Sequence, residues 1–291
     1  MPYELSDRLV IGVASSALFD LTESDAVFRG NGEDAYRRYQ EQHLDEALAP
    51  GVAFPFVQRL LSLNALTSLD DPLVEVIVLS HNDPETGLRV MRTIAHHKLS
   101  ITRAIFTQGR SPYAYMPALN MSLFLSANGD DVRKAIDQGY PAGQVLDSAY
   151  TDDDSDELRI AFDFDGVLAC GGSEQVFSEH GLQEYQVHEV ANAGVPLDPG
   201  PLRDFLANLN KIQNHEEQRC CEGGSYQRRV RVSIVTARNA PAHERAVRSL
   251  KDWGVRVNDA FFLVLQQHPV ILEAAGVMRF AGVGLSAAPP A

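Results

Sequence analysis

Short apolar runs rich in β-branched residues alternate along the chain with longer segments whose apolar positions recur at three- and four-residue spacing. The first kind predicts strands over 9–13, 74–79, 101–107, 121–125, 158–162, 230–235 and 259–265. The second predicts helices over 35–42, 55–64, 85–97, 131–138, 201–213 and 242–253. Strands separated in this way by helices read as parallel sheets flanked by helices, so the expected fold class is α/β of Rossmann-like type.

Near the midpoint, residues 147–157 lose apolar periodicity and carry Asp152, Asp153, Asp154, Asp156 and Glu157. This acidic stretch is either a linker between lobes 1–146 and 158–291 or a solvated loop inside one domain. The halves on its two sides align with each other. Residues 11–36 match 160–185 without a gap at an offset of 149, with Ser24/Ser173, Val27/Val176, Phe28/Phe177, Gly32/Gly181 and Tyr36/Tyr185 identical. Residues 55–64 match 201–210, and 74–80 match 230–236 at an offset of 156 that also aligns Arg89/Arg245 and Arg92/Arg248. Constant offsets over whole strand and helix units point to an internal duplication, against the alternative of generic α/β patterning.

Composition narrows the function. Of the 291 residues 45% are hydrophobic and 22% charged, close to the averages of globular proteins, and no apolar run reaches the ~20 residues of a membrane span. The first ten residues already hold Glu4, Asp7 and Arg8, which fits no secretory signal, and a cytoplasmic protein is expected. Asp plus Glu number 39 against 25 Lys plus Arg, a net charge of −14 that disfavours nucleic acid and anionic membranes as partners. A phosphate-bearing ligand must then be small and locally held; a homo-oligomer remains compatible with the sequence. The three cysteines, Cys170, Cys220 and Cys221, form neither a disulfide framework nor a zinc pattern and fit a reducing compartment.

The chemistry concentrates at the end of the predicted strand 158–162, which runs into Asp163-Phe164-Asp165-Gly166-Val167-Leu168. Ligands of open α/β sheets bind beyond the carboxyl ends of strands, and here two carboxylates two residues apart stand at such a tip. The turn at Gly166 allows the second to swing over a ligand. One carboxylate can attack phosphorus, while its neighbour protonates the leaving oxygen and later deprotonates water. A magnesium ion beside them would offset the repulsion between carboxylates and phosphate. The next strand of this half ends at Thr236-Ala237-Arg238, where the Thr236 hydroxyl, nearby backbone N–H groups and the start of the following helix can bind phosphate oxygens. Arg238 either reaches the phosphate or covers the surface of the site.

The Asp163-x-Asp165 motif followed by Thr236 resembles the haloacid dehalogenase-like phosphohydrolases. Further strings narrow this resemblance: Ser15-Ser16-x-Leu18-Phe19, Ala26-Val27-Phe28-Arg29, Ala35 to Gln40, Gly109-x-Ser111-Pro112, Leu123-x-Leu125-Ser126-Ala127, Gly200-Pro201-Leu202 and Ser249-Leu250-Lys251-x-Trp253-Gly254. Together, from about residue 8 to about residue 265, they are similar to the cytosolic 5′-nucleotidase I family. The resemblance implies Mg2+-dependent hydrolysis of nucleoside 5′-monophosphates of the AMP/IMP class. Asp163 would be the nucleophile, Asp165 the acid/base, both would take part in the metal site, and Thr236, Ala237 and Arg238 would face the phosphate. It further implies a small cap over 169–229 that covers the substrate.

Departures from the pattern are confined to identifiable positions. Where the superfamily has a Lys shortly after strand 259–265, this chain reads Gln266-Gln267-His268-Pro269. The internal repeat puts the counterpart of 121–128 at 277–284, where the family has Phe-Phe-Asp-Asp and this chain has Arg279-Phe280-Ala281-Gly282-Val283; no acidic residue follows Glu273. A catalytically impaired nucleotide-binding homologue is therefore the alternative to an active hydrolase. In the first half Ala14 and Ser16 stand opposite Asp163 and Asp165, so that half lacks the same chemistry. Its expected role is recognition of the substrate or of a regulatory nucleotide through Ser15, Ser16, Arg110 and Ser111, against the alternative of packing alone.

Overall fold

The computed structural model describes residues 4–68, 70–146, 156–223, 225–238, 240–263 and 280–281. The chain divides into two compact units, Met1–Asp147 with Phe280–Gly282 and Ser148–Arg279 with Val283–Ala291, each built on a sheet of its own. The expected α/β class holds in both.

In the first unit six strands form one sheet: β1 (Leu9–Ala14), β2 (Val74–Ser80), β3 (Arg103–Phe106), β4 (Met121–Ser126), β5 (Ala142–Val145) and, from the far end of the chain, β9 (Phe280–Ala281), in the order β3-β2-β1-β4-β5-β9. The first five run parallel, and β9 is antiparallel to β5. Every residue of β1 and β2 is buried, because a central parallel strand is covered on both faces. The covering helices are α1 (Ser15–Leu18), α2 (Thr22–Asn31), α3 (Glu33–Gln42), α4 (Phe54–Ser62), α5 (Pro84–His96) and α6 (Gly129–Asp137). Strand order reverses at β1, so the crevice of this doubly wound sheet lies beyond the ends of β1 and β4.

The second unit holds a three-stranded parallel sheet, β6 (Leu158–Asp163), β7 (Val230–Thr236) and β8 (Asp259–Phe262), in that order. Its helices are α7 (Gly172–Ala191), α8 (Arg203–Cys221) and α9 (His243–Asp252). Parallel neighbours need a crossover, and α8 provides the one between β6 and β7 by burying Phe205, Leu206, Leu209 and Ile212. Phe205 meets Phe162 of β6 edge-on, with ring centroids 5.8 Å apart. The segment 169–229, expected to be a cap, is thus in large part a core crossover, and α7 with its flanking turns is what remains outside it.

The two blocks that align in sequence also fold alike. Leu9 pairs with Val74 as Leu158 pairs with Val230, and Ile77 pairs with Arg103 as Ser233 pairs with Asp259. Gly32, between α2 and α3, and Gly181, inside α7, both have φ 79° with extended ψ. Thr93 and Ser249 accept the main-chain N–H of Leu48 and Leu197. Even the ion pair between the second and third strands recurs with its charges exchanged, Glu75–Arg103 against Arg231–Asp259.

Two further features differ from the sequence expectations. Strand β5 and helices α2 and α7 were absent from the pattern, since Ala142-Gly143-Gln144-Val145 has no apolar alternation and α7 is apolar on no single face. The segment 277–284, expected as the second half's counterpart of 121–128, has its two described residues on the first unit's sheet, with Gln144 opposite Ala281 and Val145 opposite Phe280. Residues 147–155, 264–279, His268 among them, and 282–291 fall outside the described residues.

Candidate active site

Strand β6 ends on Asp163, whose partner in register is Val235, one residue before Thr236 at the tip of β7. Asp163 is exposed there. Beyond it the chain turns: the carbonyl of Phe164 accepts from Leu168 N–H (3.1 Å) and Ala169 N–H (2.8 Å), and Gly166 takes the positive φ of 74° that the turn requires. A second segment is tied against this loop, with Gly200 N–H donating to Leu168 O (2.7 Å) and Leu202 N–H to Val167 O (3.0 Å). The loop thereby brings Asp165 back over the end of β7.

Asp165, Thr236 and Arg238 meet there. Thr236 is fully buried; its hydroxyl donates to Asp165 Oδ2 (3.3 Å) and accepts Arg238 N–H (3.2 Å). The Arg238 guanidinium, 1% exposed, donates from Nη2 to Asp165 Oδ1 (2.6 Å) and from Nε to both Oδ1 (3.0 Å) and Oδ2 (2.9 Å). Its Nη1 pairs with Glu189 of α7, and its plane lies over Phe164 and Tyr185 at 5.4 Å and 5.8 Å from the ring centroids. Ala237, between the two, is exposed.

Glu189 is fully buried and also accepts from Arg245 Nη1 (2.8 Å) and Ser173 Oγ (2.8 Å), with His188 Nδ1 at 3.1 Å. Burial opposes its ionisation, but the Arg238 charge, the Ser173 hydrogen bond and Arg245 outweigh it and hold the carboxyl below the usual carboxylate range. Burial likewise opposes the Arg238 charge and is outweighed by Asp165, so its proton is held more tightly than that of an ordinary arginine. Burial pushes the Tyr185 phenol up. Glu189, Tyr185, Ser173 and Arg245 were not singled out by motif; the repeat alignment marked Tyr185, Ser173 and Arg245 as matched positions without assigning them a role.

The residues expected in the first unit occupy the corresponding sheet end. Ser15 and Ser80 hydroxyls are 3.0 Å apart and buried, Ser16 is half-buried, and Arg110 and Ser111 are exposed on the loop after Thr107. Beside them stands a cluster the motifs did not indicate: His81 Nε2 lies 3.3 Å from Asp131 Oδ1 and 3.4 Å from the Tyr113 hydroxyl, and Ser126 Oγ donates to Asp131 Oδ2 (3.4 Å).

Magnesium selects hard oxygen donors and keeps several waters. The Asp163 carboxylate and the main-chain carbonyl beside Asp165 are such donors, whereas the Asp165 carboxylate is bonded on both oxygens to Arg238. Among the described residues no three His, Cys, Asp or Glu side chains converge as a metal cluster, and no helix is long and apolar enough to cross a membrane.

A parallel α/β sheet with paired carboxylates at one strand tip and a hydroxyl at the next is the arrangement of haloacid dehalogenase-like proteins. Within that class the chain belongs to the 5′-nucleotidase family, whose model matches residues 1–279. It is 30% identical over 286 residues to human cytosolic 5′-nucleotidase 1B, an alignment that takes in 94% of this chain and 45% of the relative, so the chain spans less than half of that protein's length. No solved structure matches.

Proposed function

We propose that the second unit hydrolyses nucleoside 5′-monophosphates of the AMP/IMP class to nucleoside and orthophosphate, in the cytoplasm and with Mg2+. The carrying observation is the placement of Asp163 at the tip of β6 beside the Asp165–Thr236 hydrogen bond at the tip of β7. A carboxylate oxygen of Asp163 attacks phosphorus and forms an aspartyl-phosphate while the bond to the 5′ oxygen breaks; Asp165 gives that oxygen its proton. Asp165 then takes a proton from water, whose oxygen attacks phosphorus and releases Asp163 and orthophosphate. Asp163 and the carbonyl beside Asp165 would hold the magnesium ion, which when bound screens the charge between carboxylate and phosphate. Thr236 and the N–H of Ala237 are assigned to the phosphate oxygens, while the Arg238 N–H holds the Thr236 hydroxyl. Ser15, Ser16, Arg110 and Ser111 of the first unit are assigned to recognition of the substrate or a regulatory nucleotide.

Phosphate release from AMP and IMP in millimolar magnesium, compared between the natural chain and Asp163→Asn, tests this reading. Loss of at least ~100-fold in kcat in the variant is expected, as for removal of a nucleophile. Equal rates overturn it. A second reading, an impaired nucleotide-binding homologue, is favoured by one observation, the Arg279-Phe280-Ala281-Gly282-Val283 segment in place of the family's acidic pair. Equal background rates for both proteins, with AMP bound by both, would establish it.

A further inference from the structure

We propose that Arg238 and Glu189 are positioning residues for Asp165. This rests on Asp165 being the proton-handling group of the hydrolysis proposed above. Four side chains of alternating charge, Arg245, Glu189, Arg238 and Asp165, form one continuous ion-paired chain, and all but Asp165 are buried. Both oxygens of Asp165 are held: Oδ1 accepts from Nη2 (2.6 Å) and Nε (3.0 Å), and Oδ2 accepts from Nε (2.9 Å) and the Thr236 hydroxyl (3.3 Å). The fork therefore fixes the carboxylate in orientation as well as in place. The guanidinium has little freedom to rotate, since Glu189 fixes Nη1 and the Phe164 and Tyr185 rings flank its plane. Glu189 is fixed in turn by Arg245 and Ser173.

The first unit shows that this frame folds without the charged pair. At the repeat offsets, Gln40 stands where Glu189 does and Asn82 where Arg238 does, while Arg89 keeps the place of Arg245. Gln40 Oε1 accepts from Arg89 Nη1 (3.1 Å), and Asn82 Oδ1 accepts from the hydroxyl of Tyr36, the counterpart of Tyr185. The same frame thus carries Gln and Asn in the unit with Ala14 and Ser16, and Glu and Arg in the unit with Asp163 and Asp165. A buried ion pair adds little stability over neutral packing of the same volume. What it adds here is a rigid bidentate fork on one carboxylate. The geometry assigns Arg238 to Asp165 and leaves the phosphate to Thr236 and the Ala237 N–H.

The test is the double variant Glu189→Gln/Arg238→Asn, which recreates the first unit's own pair and so is expected to fold with an unfolding midpoint close to that of the natural chain. For AMP hydrolysis kcat should fall about 30-fold or more while KM stays within about threefold, the split that marks loss of an interaction made in the transition state. Arg238→Lys, which keeps the charge and loses the fork, should fall between the two. A kcat of the double variant within about threefold of the natural chain overturns the proposal. Crystal structures of the natural chain and the double variant give a readout that needs no turnover: the Asp165 carboxylate should leave its position, and an unmoved Asp165 overturns the proposal whatever the hydrolysis assay shows. Inactivity of the natural chain relative to Asp163→Asn would by contrast overturn the hydrolase reading. Should the double variant not fold, Arg238→Lys carries both readouts, with loss of kcat and a displaced Asp165 still expected.

Discussion

Asp131 shows how far the surroundings of one residue can outweigh burial. Burial opposes its ionisation, yet the hydrogen bond and charge of His81 and the bond from Tyr113 together hold the carboxyl below the usual range. His81 is raised in return, first by the hydrogen bond to Asp131, against burial and the nearby Lys134, with the Asp131 charge and a backbone contact to Arg110 adding to it. A raised histidine contributes its stability in full below the unfolded value of 6.5 and loses it as pH climbs through the folded value. A lowered aspartate contributes above 3.8 and loses it as pH falls through its folded value. The pair's contribution is therefore complete between those two ordinary values. Urea unfolding of the natural chain and His81→Gln should show a stability gap that is widest there and narrows above neutrality; a gap unchanged from about pH 5 to about pH 9 would contradict this. Asp163, Asp165, Thr236 and Arg238 were legible because they cluster at strand tips. Glu189, Asp131 and His81 were not, because an acid or histidine on a helix or loop reads as solvated until an element distant in sequence covers it.

Fully buried strands such as β1 and β2 were legible to within a residue at each end, since an apolar run bounded by polar residues admits few other structures. The crossover role of α8 was partly legible, since a helix was expected over 201–213 and 201–210 align with 55–64, but the family resemblance assigned the whole of 169–229 to a cap. Gly200 carries a further constraint at this scale. A Cβ there would lie 2.6 Å from Val167 O and 2.9 Å from the carbonyl of Ala169, the backbone of the loop that returns Asp165 to the sheet end. Gly200→Ala must push that loop aside, with an expected loss of about 1–3 kcal/mol by urea unfolding. If the proposed hydrolysis holds, kcat should drop more than KM. Gly172→Ala, where the added Cβ would enter open space, serves as the control and should be close to neutral. Equal stability of the two variants would remove Gly200 from this role.

For the molecule as a whole, 39 acidic against 25 basic residues give −14 at pH 7, with a pI near 5.0. Such a surplus works against compaction through self-repulsion. Salt should relieve it, because repulsion among exposed charges acts over distances that a Debye length of about 8 Å at physiological ionic strength cuts off. The chain from Arg245 to Asp165, buried in every member but the last, is poorly reached by ions, so its attraction should persist. At neutral pH the unfolding midpoint is accordingly expected to rise between roughly 20 mM and roughly 200 mM sodium chloride. Near pH 5, where the net charge vanishes, the same addition should leave the midpoint unchanged or lower it, because only the attractive surface pairs, such as Arg231–Asp259, are then left to screen. A midpoint that falls with salt at neutral pH would mean that surface ion pairs, and not the acidic excess, dominate the long-range electrostatics of this fold.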